Sequence, residues 1–132
     1  MTRLKTHKGF CITGSVLLLI MALFHGSGFS YVGEKIKQSN AEEFLKDIVP
    51  VLFAHPSIHL IALASFGILA LFIGHESWKM LFLLSIIIVV DAFLAILLGG
   101  LIPGLLLFAA AICFILPAYG LMRNKTDQRQ NA

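Results

Sequence analysis

The residues of this chain that can do chemistry are few and lie close together. His55 and His59 stand four apart in Phe53-Ala54-His55-Pro56-Ser57-Ile58-His59, and Asp91 is the carboxylate they are expected to face. Residues four apart share one helical face, so both imidazoles point the same way if this stretch is helical. His25 is the further candidate. Two or three imidazoles with a carboxylate make a reasonable ligand set for zinc, copper or iron. Histidines on facing helices can also ligate a haem iron. A His–Asp pair at one depth can relay protons or hydrogen-bond a quinone carbonyl. The spacing itself is a weak signal, and no cysteine or methionine stands in the cluster. The chain has no HExxH, Walker loop, nucleophile elbow or Rossmann glycine pattern, so no particular enzyme chemistry is indicated and the leaning is toward a non-enzyme.

What must position these groups is a membrane-spanning scaffold. Of 132 residues, 58% are hydrophobic and 13% charged, and the mean hydropathy is +0.92. Soluble domains carry about twice that share of charge. The charges cluster at the ends and in two breaks, leaving long apolar runs, which is the pattern of a bilayer protein. The formal charge of +3 resides mainly in the terminal tails, where anionic headgroups account for it and nucleic acid is not needed. Cys11 and Cys113 both fall in apolar runs and read as small buried hydrophobes.

The fold expected is all-α, a single four-helix bundle of antiparallel transmembrane helices. The spans fall at residues 10–29, 51–74, 78–98 and 101–122, with a polar, disordered tail at 123–132. The first run resembles a signal peptide, but it lacks an A-x-A-like cleavage site, so a retained helix is expected. Between the first two spans, Asn40-Ala41-Glu42-Glu43 reads as a capping box that starts a short amphipathic interfacial helix. Pro50 marks where that helix joins the second span. Trp78 is placed as an interfacial aromatic, and Gly99-Gly100 as a tight turn. Arg3, Lys5, Lys8, Lys79, Arg123, Lys125 and Arg129 fall on one side of such a bundle, against Lys35, Lys37 and Lys46 on the other. That bias puts both termini in the cytoplasm with the long first loop outside; the membrane expected is a bacterial inner membrane, where that loop would face the periplasm.

A short turn centred on His75 sets relative depth. His59 and Asp91 lie the same number of residues to either side of it, so they share a level; Ser65 and Ser85 do too, so depth alone does not decide facing. His55 lies a turn further out, and His25 also falls in the outer half, so the four side chains are expected to converge there. Each also has a plainer role. His25 precedes Gly26-Ser27-Gly28, a natural helix end favourable to a histidine. His55 precedes Pro56 and suits a helix entry. His59 and Asp91 can simply bind each other as polar glue between helices. Asp91 has no lysine at its depth, so it must be protonated, reached by water, or paired with histidine. Small residues such as Gly14, Ser15, Ala62, Ala64, Gly67, Ala109 and Gly120 are expected mostly in the bundle core.

Three functions follow as expectations. The leading one is a non-enzymatic accessory or partner-binding membrane protein, its partners being the bilayer and another membrane protein or a second copy. The second is a protein that uses His25, His55, His59 and Asp91 to hold haem, a transition metal or a quinone. The third is a small proton-coupled transporter with Asp91 as the titrating acid.

Overall fold

The computed structural model describes residues 2–130, with backbone alone for residues 2–6, 75 and 124–130. The chain is all-α: α1 (Thr2–Ser27), α2 (Phe29–Lys37), α3 (Glu43–Ile73), α4 (Ser77–Gly99) and α5 (Leu101–Gln130), with a 3₁₀ turn at Gly74–Glu76. Four helical stretches are long and apolar enough to cross a membrane: His7–Lys37, Glu43–Ile73, Ser77–Gly99 and Leu101–Arg123. In the most apolar 18 residues of each stretch, only 28–39% are buried within the protein. The remaining apolar surface has no protein to cover it, which is the arrangement of an integral membrane protein.

Two glycines make the tight connections. Gly74 (φ 78°) and Gly100 (φ 97°) lie in the left-handed region that side chains disfavour. Each reverses the chain within a few residues, so α3 and α4, and then α4 and α5, run antiparallel. Both termini therefore lie at one end of the bundle, the terminal end. The segment between α2 and α3 and the Gly99-Gly100 turn mark the opposite, loop end.

Packing around the bundle is uneven. α1 lies against α3 and α5, and α4 lies along α5 for most of its length, whereas α3 and α4 meet sparsely. At the centre, the fully buried Phe114 ring of α5 presses on two glycines. A Cβ at Gly14 of α1 would stand 2.9 Å from that ring, and one at Gly67 of α3 would meet it at 2.6 Å and collide with Ser15. Lipid tails are as apolar as the side chains, so helices gain from close approach, and small residues permit it. Gly14, Ser15, Ala22, Ala64, Gly67, Ala110 and Ala111 are buried as expected, while Ala62 and Ala109 face outward. Gly104 plays the same part between α5 and α4: a Cβ there would overlap Ile96 and reach the Ala92 carbonyl at 3.0 Å.

Three sequence expectations need correction. Pro50 does not separate an interfacial helix from a span, because α3 runs unbroken from Glu43 through Pro50 and Pro56. Each proline removes one N–H, yet the helix continues through both; at Pro56, within the apolar span, there is no water to reward breaking the rest of the ladder. The Asn40 capping box does not form; Glu42 is the N-cap and its side chain makes no cap bond. Ser39 shapes this turn instead, donating to the Ile36 carbonyl at 2.7 Å and accepting from the Ala41 N–H at 3.2 Å. The separate short helix of the loop is thus α2, directly after α1. Finally, the tail expected to be disordered is helical through Gln130, with residues 131–132 outside the described part. A helix already formed adds each further residue at little cost.

Candidate functional site

The His59 imidazole and the Asp91 carboxylate meet across the sparse α3–α4 contact. His59 Nε2 lies 3.1 Å from Asp91 Oδ2. The 3₁₀ turn Gly74–Glu76 centres on residue 75, so the two helices leave it in step and bring these positions to one level. Ser65 and Ser85 share a level too, but their hydroxyls donate instead within their own helices, to Ile61 and Leu81 at 2.9 and 2.8 Å. The His59 and Asp91 side chains are 38% and 22% exposed, so the pair is reachable along the seam and is not sealed in the core. Beyond Lys79 near its start, Asp91 is the only charged side chain of α4.

His55 lies one turn nearer the loop end on the same face of α3. Its ring is nearly parallel to that of His59, at 10°, with centroids 6.3 Å apart. That is an offset stack at the outer limit of ring contact, too distant for a hydrogen bond between the two. His55 is exposed.

His25 has a different partner. Its Nε2 lies 3.0 Å from the Phe53 carbonyl of α3, and its ring stacks on the Phe53 ring at 4.4 Å. A carbonyl only accepts, so His25 carries its proton on Nε2. Pro56 has no N–H for the Leu52 carbonyl, whereas the Phe53 carbonyl that His25 engages is the one four residues before Ser57. The bond has a side effect on Ser57. The usual acceptor for a helical serine hydroxyl is the carbonyl four residues back, which for Ser57 is the Phe53 carbonyl that His25 engages. Ser57 Oγ is buried without a partner among the described residues, and it stands 3.4 Å from where a Cβ on Gly26 would be.

The four side chains expected to converge therefore form two separate contacts, with His55 flanking one of them. No group of three His, Cys, Asp or Glu side chains able to hold a metal ion occurs among the described residues. The carbonyl bond occupies only Nε2 of His25, and ligating histidines commonly anchor their other ring N–H in this way, so the bond does not itself bar His25 from ligation. The Phe53 carbonyl and Ser57 were missed from the sequence, because a main-chain acceptor carries no residue signature. The one available signal was Pro56 next to a run of polar residues. His7, set apart from this cluster by its position in the chain, does lie at the terminal end; the His75 side chain falls outside the described residues. Cys11 is buried, Cys113 is half-buried, and both are free.

Comparison with known proteins adds no relative: no family model matches the chain, and neither a curated protein nor a solved structure is detectably similar.

Proposed function

We propose that this is a non-enzymatic multi-pass membrane protein that acts by binding another membrane protein, as an accessory subunit. In this reading His59–Asp91 and His25–Phe53 are internal fasteners. The observation that carries it is the 3.1 Å bond from His59 Nε2 to Asp91 Oδ2. It supplies a partner for the one acid that an apolar helix cannot leave alone. The shape of the loop end supplies a place for the partner. Counted outward from that bond, Gly99 stands level with Val51, so the first two turns of α3 pass beyond the α4–α5 turn, flanked by α2. Tyr31 on α2 and Phe44 on α3 are exposed there, at 65% and 67%. In this reading the membrane is a bacterial inner membrane, and the lysine and arginine bias supports cytoplasmic termini, with this projection on the opposite side.

A photo-crosslinking residue at Tyr31 or Phe44 is expected to capture one discrete membrane partner in cells, and the same residue at Phe72 or Leu97 is expected to capture none. Equal yields at all four positions overturn the reading. A stoichiometric metal or a visible absorption band in the purified protein also overturns it.

A second reading, a small proton-coupled transporter with Asp91 as the titrating acid, has one observation in its favour. Exposed His55 lies one turn nearer the loop end than the level His59–Asp91 pair, so three exchangeable groups stand between that end and the α3–α4 seam. Proton flux into proteoliposomes that disappears in Asp91→Asn decides for it; flux equal to that of empty vesicles decides against it.

A further inference from the structure

A cavity of about 180 Å³ lies at the terminal end of the bundle, away from the histidines and Asp91. All four long helices contribute to its wall. Interiors are otherwise packed like crystals, so a space this large has local causes. Small residues line three sides: Cys11 of α1, Ala70 of α3, and Gly74 with Ser77 at the turn into α4. Pro117 forms part of the α5 wall, and Leu81 closes the apolar side. The Ser77 hydroxyl is already engaged, donating to the Gly74 carbonyl at 2.7 Å. Among the described residues, apart from Cys11 and Ser77, the polar side chains of the wall are His7 and Lys8, both from the first turns of α1. His7 is held across α1 and α5 by close approach to Gly120, where a Cβ would stand 2.5 Å from its ring.

The charge of this lining is one-sided. No carboxylate among the described residues lines the cavity. Among the described residues Lys8 has no carboxylate partner, while the neighbouring Lys79 is paired with Glu76 at 2.9 Å. The apolar run of α1 begins at Phe10, so Lys8 and His7 mark the level where hydrocarbon gives way to headgroups. An apolar cavity of about 150 Å³ holds a benzene ring. This one is of that class, with cationic and N–H donors at its polar edge.

We infer that the cavity is a binding site for an anionic amphiphile, whose apolar segment lodges against Cys11, Ala70, Leu81 and Pro117 and whose anionic head meets Lys8 and His7. The anion is a carboxylate or a phosphate. It comes either from a free amphiphile or from a lipid of the adjoining leaflet, and the same contacts serve both. A cation is excluded by Lys8, and a fully polar anion gains nothing from the apolar wall.

The test uses the full chain in a sterol-based detergent, which has no alkyl tail to fill the site. Equilibrium binding is measured for laurate, for lysophosphatidylglycerol, and for dodecanol as the uncharged counterpart. Laurate or lysophosphatidylglycerol is expected to bind saturably and about tenfold more tightly than dodecanol, the effect of one charge-assisted hydrogen bond. Lys8→Gln, at an exposed position, is expected to erase that difference, and Ala70→Leu, which fills the cavity, to weaken all three probes. Saturation by laurate alone supports a free carboxylate as the ligand, and saturation by the lysolipid supports a lipid phosphate. Equal binding of laurate and dodecanol, the absence of saturation by either anion, or anion binding unchanged in both variants overturns the inference.

Discussion

α4 has two neighbours and meets them by different means. Toward α5 the contact is one of shape: Gly104 admits Ile96 and the Ala92 carbonyl, and Phe93 meets Phe108 edge-on with ring centroids 5.2 Å apart. Toward α3 there is little packing, and a single hydrogen bond, His59 to Asp91, ties the helices. In water both seams would also be held by hydrophobic burial. In lipid that force is absent between helices, so each seam depends on what is specific to it. A shaped seam loses energy steeply when volume is added. A polar seam loses it when one partner is removed.

Gly104→Val should break the shaped seam most severely. The added carbons meet Ile96 and a main-chain oxygen, so a loss of about 3 kcal/mol is expected in unfolding by SDS from mixed micelles. Asp91→Ala attacks the polar seam. It leaves the His59 N–H without an acceptor, at about 1–2 kcal/mol in the same assay. A double-mutant cycle on His59→Ala and Asp91→Ala should return a coupling of about 0.6 kcal/mol, typical of hydrogen bonds between membrane helices. Strict additivity would mean that the polar link contributes nothing and that α3 and α4 are neighbours only through their turn. The smallest effect belongs to Ser57→Ala. Removing a buried hydroxyl that has no partner should leave stability within about 0.5 kcal/mol of the wild type, or raise it slightly. A clear loss would show that Ser57 shares the Phe53 carbonyl with His25.

The same contrast governs what could be read from the residues alone. Spans were legible because the bilayer demands long apolar helices, and few other structures satisfy it. The His59–Asp91 contact was legible because a three-residue turn ties depth in α3 to depth in α4, and both partners are ionisable. The His25 contact was not legible because its partner is a main-chain carbonyl, and such an acceptor is invisible in residue types. The unbroken course of α3 was hidden for a related reason. Pro50 and Pro56 carry a strong local signal for interruption, and the surroundings override it. The cavity at Cys11 and Ala70 was illegible because it is made by what small side chains fail to fill, and its shape depends on four helices at once.

The turn at Gly74–Glu76 has a consequence for how the chain can be assembled. α1 and α3 form one closely packed pair, and α4 and α5 form another joined through Gly100. Covalently the two pairs are connected only through that turn. The pairs are nonetheless interlocked, because Phe114 of α5 packs on Gly14 of α1 and Gly67 of α3, so the centre of the first pair is completed only by the second. Such a chain can be divided at that point: halves made separately, residues 1–74 and 75–132, retain every close helix pair except α1 with α5.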